Sequence, residues 1–295
     1  MRRLLIVGCG DVMRRALPLL RRRWHVLALV RQADPHLAAL GVTQIEGDLD
    51  SRASLTRLAG IADAVIHSAP PPADGSDDPR TRNLIAALQR GKSLPRRIVY
   101  ISTSGVYGDC GGARVGETQA AAARSARAVR RVAAEQRLRH FGRGSLRPCR
   151  VSILRAPGIY AADRLPLERL RQGLPLLRAA EDSHTNHIHA DDLGRACMEA
   201  LARGGANRIY NISDDSALAM GDWFDLLADA HSLPRAPRVS REEAQRAVSP
   251  LQWSFMSESR RLDNTRMKRE LRLRLRYPTV RGGIGTSVED AACSG

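Results

Sequence analysis

Short apolar runs alternate with helix-period segments through the first half of the chain. Leu4-Leu5-Ile6-Val7 predicts a buried strand, Asp11 to Leu20 a helix, and His25 to Val30 a second strand. The cycle then repeats, with a strand from Thr43 to Glu46, a helix from Ser51 to Ala59 opening on a serine cap, and a strand from Ala64 to His67. After the loop of Pro70-Pro71-Pro72 and Asp74-Gly75-Ser76 come a helix from Pro79 to Arg90 and a strand from Arg97 to Ser102. A long helix from about Ala120 to His140 and a strand from Val151 to Arg155 follow. Strands alternating with helices imply right-handed crossovers, hence an α/β fold with a doubly wound parallel sheet covered on both faces.

Beyond Ala156-Pro157-Gly158 the alternation weakens. A helix from Asp191 to Ala202 and a strand from Arg208 to Ile212 continue it, whereas Leu218 to His231 and Glu258 to Leu271 read as helices separated by proline-rich connections such as Leu233 to Pro237. The expected organisation is a first unit of residues 1–160 plus 186–213, a smaller, mainly helical C-terminal lobe of 161–185 plus 214–281, and a frayed tail over 282–295.

Composition narrows the class. At 295 residues, 43% hydrophobic and 26% charged, the chain can bury a proper core, which excludes global disorder. No run approaches the roughly 20 apolar residues of a membrane-spanning helix, and the N-terminus lacks a secretory pattern. Cys9, Cys110, Cys149, Cys197 and Cys293 are scattered without a CxxC pair, so neither a disulfide framework nor a metal site is expected, and a cytoplasmic location fits. The net charge of +16 rests almost wholly on arginine, Lys92 and Lys268 being the only lysines. Clusters at Arg21-Arg22-Arg23 and from Arg124 to Arg139 have no interleaved aromatics, which argues for solvated helix faces rather than a nucleic-acid partner.

The first candidate chemistry is the loop Gly8-Cys9-Gly10-Asp11-Val12-Met13 between the first strand and first helix. In a dinucleotide fingerprint the first glycine makes the tight turn, the second admits the pyrophosphate to the backbone, and the third lets helix and strand pack closely. Met13 stands where the third is expected. The helix start directs N–H groups and its positive dipole end at a phosphate. At the end of the second strand the sequence offers Arg31 and no acid until Asp34, which favours NADP over NAD. Asp48 and Leu49 are placed for the adenine edge and Ala69 for the adenine ribose.

These residues, with Gly47-Asp48-Leu49, Ala64 to Ala69, Ile101 to Gly108, Ile153 to Tyr160 and His187 to Leu193, resemble the extended short-chain dehydrogenase/reductase superfamily, specifically its NAD-dependent epimerase/dehydratase group. The six blocks run in order from residue 2 to about 213. The resemblance implies an NAD(P)-binding Rossmann domain, a lobe closing over a small-molecule substrate such as a sugar nucleotide, and oxidoreductase or epimerase chemistry by hydride transfer. It also implies cofactor contacts at Ser102, a substrate-orienting hydroxyl at Thr103, and a homodimer through the helix near residues 120–140.

The family's Tyr-x-x-x-Lys pair is absent. Counting back from Glu135, which matches the acid ending that motif, Arg127 and Arg131 occupy the two positions, and no Tyr-x-x-x-Lys occurs anywhere in the chain. A guanidinium stays protonated, so it is no base, although Arg131 can bind the ribose. Tyr107 is the nearest tyrosine to serve as a substitute proton donor. His187 and His189 are candidates to line the cleft, Asp191 or Asp192 to cap the next helix, and Cys110 to be an exposed thiol. Three functions remain open at this point: an epimerase/dehydratase-type oxidoreductase with an atypical site, a non-catalytic NADP(H) sensor or scaffold, and a nucleic-acid-associated basic protein.

Overall fold

Leu4 and Ile6 face one core, Leu5 and Val7 another, and all four are fully buried. This is why their strand reads as an unbroken apolar run: it is covered on both sides. The computed structural model describes residues 1–144 and 149–285. Its main elements are β1 (Arg2–Val7), α1 (Asp11–Arg21), β2 (Trp24–Val30), β3 (Thr43–Glu46), β4 (Ala64–His67), α2 (Pro79–Gln89), β5 (Arg97–Thr103) and α3 (Ala126–Gly144). They continue with β6 (Arg150–Ala156), α4 (Ala190–Arg203), β7 (Arg208–Asn211) and α5 (Met220–Ala230).

The seven strands form one sheet in the order β7-β6-β5-β4-β1-β2-β3, with every neighbouring pair parallel. Helices α1 and α4 cover one face, α2 and α3 the other. The strand order reverses between β1 and β4, which opens a crevice at the carboxyl ends of the strands where a doubly wound sheet binds ligands. The expected α/β fold class and its Rossmann-type sheet are present.

Several local expectations are corrected. Residues 52–58 form a 3₁₀ helix rather than an α-helix, and Ser51 makes no side-chain cap bond. The long helix starts at Ala126, and residues 120–124 are irregular loop. The stretch from Glu258 to Leu271 is not one helix: Arg261–Leu262 pairs in parallel with Arg114–Val115, and only Met267–Leu271 coils, as a π turn. Helix α4 is capped by the His189 imidazole, whose Nδ1 accepts from the Asp191 N–H, and not by Asp191 or Asp192. Asp192 is instead fully buried, accepting from the backbone N–H groups of Arg276 and Tyr277.

Beyond the sheet and the two cores on its faces, a second centre of apolar packing gathers Tyr160, Leu170 and Leu176 with Trp223, Phe224 and Leu227 of α5 and with Val280 and Ile284. Residues 286–295 of the expected tail, with Cys293, lie outside the described residues, but Ile284 within that tail is buried. No helix of the described residues is long and apolar enough to cross a membrane.

Candidate functional site

The loop after β1 is built around one backbone conformation. Gly8 has φ +91°, and a Cβ there would lie 2.4 Å from the Ala69 nitrogen, so β1 and the end of β4 can approach only over a glycine. Nothing lies within 4 Å of where a Gly10 Cβ would be, and α1 carries no side-chain cap, leaving its first N–H groups open toward the crevice. Ser68 fixes the loop, its hydroxyl donating to the Gly8 carbonyl at 2.6 Å.

Met13 borders the crevice yet is 1% exposed and packs in the core with Ala16, Leu17 and Leu20. A close approach of a different kind, helix to helix, is made over a glycine one turn on. There Gly194 of α4 abuts Ala16, a Cβ on Gly194 being only 3.1 Å from the Ala16 methyl.

Two clefts meet at Gly8. One, of about 370 Å³, is lined by Arg31, Asp48, Leu49, Ala69 and Arg80, so it gathers the residues expected at the adenine end. Asp34 is committed elsewhere: it caps the short helix Pro35–Ala39 and binds Arg14 at 2.5 Å. Arg31 is exposed and makes no ion pair among the described residues, while Arg80 grips Asp50 through two bonds of 2.8 and 2.6 Å. Arg80, with Arg31 further off, holds the Asp50 carboxyl below its usual range.

The other cleft, of about 400 Å³, is lined by Gly8, Gly10, Asp11, Val12 and Met13 together with Ser102, Thr103, Arg127, Arg131 and Arg164. Residues 127 and 131, one turn apart on α3, thus both reach it. Arg131 donates to the Ile101 carbonyl at 2.8 Å and to the Tyr100 hydroxyl at 3.0 Å. Arg127 lies over the Phe255 ring at 4.6 Å. The Thr103 hydroxyl accepts from the Gly105 N–H at 3.2 Å. Ser102 is committed differently from expectation: its hydroxyl donates to buried Glu135 at 2.6 Å, and Glu135 also holds Arg155.

Tyr107 is not among the residues lining this cleft. It is 1% exposed, donates to Asn211 Oδ1 at 2.7 Å and lies under the Arg155 guanidinium, so its hydroxyl is engaged in the core. His187 and His189 also sit away from the cleft lining. His187 stacks on Trp223 at 4.3 Å, and burial lowers its pKa to about 3, leaving the ring neutral. Burial raises the Cys110 thiol, against a role as thiolate. No group of three or more His, Cys, Asp or Glu among the described residues could hold a metal. Arg80 and Arg164 were not singled out in the sequence; Arg80 follows a Pro at a helix start facing the crevice, while Arg164 carries no such signal.

These features fit a dinucleotide: a tight turn that only a glycine at Gly8 can make, open space beside Gly10, open helix N–H groups, and cationic clefts on both sides. A family model described as NAD(P)H-binding matches residues 8–204. The chain belongs to this NAD(P)H-binding family. A 2-alkyl-3-oxoalkanoate reductase of Stenotrophomonas maltophilia (strain K279a) is 32% identical over 264 residues, covering 80% of this chain and 78% of the relative. Among solved structures, a conserved protein of unknown function from Silicibacter pomeroyi is 27% identical at a TM-score of 0.77, covering 96% of this chain and 97% of that one. UDP-glucuronic acid 4-epimerase from Bacillus cereus, in complex with NAD, shares the fold at 16% identity and a TM-score of 0.75, with 96% of each chain covered. This member of the NAD(P)H-binding family therefore has the epimerase/dehydratase-type fold that its sequence blocks imply.

Proposed function

We propose that the protein is an NADPH-dependent reductase of a small oxo acid. The observation that carries this reading is that Thr103, Arg127 and Arg131 line the same cleft as the dinucleotide loop. Gly8, Gly10 and the start of α1 would hold the pyrophosphate, Asp48, Leu49 and Ala69 the adenosine, and Arg131 the nicotinamide ribose. Arg31 lacks an ion-pair partner among the described residues and Asp34 is already committed, which supports a 2′-phosphate over a free ribose hydroxyl.

Bound NADPH supplies a hydride to a carbonyl carbon. The protein's part is polarisation: the Arg127 guanidinium and the Thr103 hydroxyl donate to the carbonyl oxygen and stabilise the charge that develops on it. Arginine does not release a proton at working pH, so water in the open cleft supplies the one that completes the alcohol. The Arg127 fork also suits a substrate with two acceptors, a keto oxygen and a carboxylate. The relative named for 2-alkyl-3-oxoalkanoate reduction supports that substrate class.

The second cluster around Tyr160 and Trp223 is the core of the lobe that would cover this substrate. The groove between α2 and α3, with Ile85, Ala86, Ala133 and Phe141, supports a homodimer, which a one-chain mass in sedimentation would refute. Four free thiols, Cys9, Cys110, Cys149 and Cys197, support a cytoplasmic setting.

Titrating the protein with NADPH and NADH by calorimetry, then following NADPH oxidation with 2-methyl-3-oxo acids, tests the reading. NADPH is expected to bind more tightly, and Arg127→Ala and Thr103→Ala to lower kcat by about tenfold or more each. Failure to bind either cofactor at millimolar concentration refutes the reading. Tight NADPH binding with no carbonyl reduction favours a dinucleotide sensor instead, because Arg127 cannot act as acid or base.

A further inference from the structure

Around the dinucleotide loop, three carboxylates and two guanidiniums from distant segments lock together. Arg164, in the turn after the Ile153 to Tyr160 block, binds Asp11 at 2.8 Å in the first turn of α1. Arg15 binds the other oxygen of Asp11 at 2.9 Å, reaches across to Asp163 at 2.5 Å, and lies 3.6 Å from Asp191. The turn carrying Asp163 and Arg164 is thereby tied to the helix end that faces the cleft.

The arrangement creates an electrostatic problem for the cofactor site. A pyrophosphate brings two negative charges to the start of α1, where the Asp11 carboxylate already stands. Arg15 is held by three carboxylates, but Arg164 is held by Asp11 alone among the described residues, and it lines the cleft beside Gly10 and Val12.

We propose that Arg164 is a pyrophosphate ligand, delivered from outside the sheet, that exchanges Asp11 for the dinucleotide when NADPH binds. Asp11 is then its resting counter-ion and stays paired with Arg15 after the exchange. The same swap draws the 161–164 turn onto the bound cofactor, so that cofactor binding completes the wall of the reaction cleft. This inference rests on the proposed use of the cleft by NADPH.

Calorimetric titration of two variants tests it. Arg164→Gln should weaken NADPH binding by about tenfold, the worth of a charge-assisted contact, whereas Asp11→Asn should tighten it about threefold or more by freeing Arg164 and removing a repelling charge. Adenosine 2′-monophosphate, which has no pyrophosphate, should bind both variants like the parent protein. An Arg164→Gln affinity within twofold of the parent overturns the proposal, as does an equal loss for adenosine 2′-monophosphate, which would mean general damage to the site. No NADPH binding by the parent protein would instead defeat the functional reading on which the inference rests.

Discussion

Removing the negative charge from Glu135 should destabilise the protein by several kcal/mol. The Glu135 and Arg155 side chains are each only 4% exposed, and the Glu135 carboxylate accepts two bonds from Arg155 and one from Ser102. Glu135→Gln keeps the shape and can still accept from Ser102, but it strands a buried guanidinium that already has one nitrogen, Nη1, without a partner. Breaking such a pair from one side costs about 3–5 kcal/mol. The Tyr107 face, 4.6 Å from the Arg155 guanidinium, is present in both proteins and offsets none of the difference. A loss of about 3 kcal/mol corresponds to a fall in Tm of roughly 5 °C at this chain length. Urea unfolding at pH 7, followed by tryptophan fluorescence, should show a lower midpoint at unchanged slope. Replacing both charges, as in Glu135→Leu with Arg155→Met, should recover most of the loss. A Glu135→Gln cost below about 1 kcal/mol, or a double variant no better than the single one, would show that stranding the charge is not what matters.

Two further outcomes are expected. Tyr107→Phe leaves buried Asn211 Oδ1 without its donor and should cost about 1–3 kcal/mol in urea unfolding while NADPH affinity is unchanged; lost turnover at full stability would restore Tyr107 as the proton donor. Burial raises the Asp214 pKa to about 7, so the folded protein holds this proton more tightly than the unfolded chain. Its contribution to stability should therefore be greatest below about pH 4, fall as pH rises toward 7, and level off above. Asp214→Asn should flatten the Tm profile across that window, and an unchanged slope would refute the assignment. Buried, neutral His67 and His187 act in the opposite sense, with support present above about pH 6.5 that fades as pH falls toward 3.

The sheet was legible because its central strands are covered on both faces, so runs such as Leu4 to Val7 and Ala64 to Ile66 carry no polar interruptions. The α3 register was legible through the resemblance, which matches Glu135 to the acid ending the family's motif and so places Arg127 and Arg131, both of which line the cleft. Other features were hidden for physical reasons. The 120–124 segment has helix-forming alanines but stays irregular, and the Ala122 N–H donates to the Val106 carbonyl instead of to a helix. The stretch from Glu258 to Leu271 has helical composition, yet its N-terminal part is held by pairing with Arg114–Val115, a partner far away in sequence. Met13 stands where a fingerprint glycine is expected, but its side chain is absorbed into the core with Ala16, Leu17 and Leu20. Arg164 reaches the site only through tertiary placement.

Asp192 has a consequence for how the chain matures. Its carboxylate is wholly buried at the start of α4, but its backbone donors, Arg276 and Tyr277, lie 84 and 85 residues further on. On a ribosome adding roughly 5–20 residues per second, that gap is on the order of ten seconds during which α4 has been made and its buried carboxylate has the Arg195 guanidinium at 2.9 Å but neither backbone donor. The sheet can assemble early, but the face that carries α4 cannot close until the last described segments emerge. Completion of this nucleotide-binding domain is thus a late event in synthesis, and a chain halted before Tyr277 would expose an incomplete α4 face to proteases and chaperones.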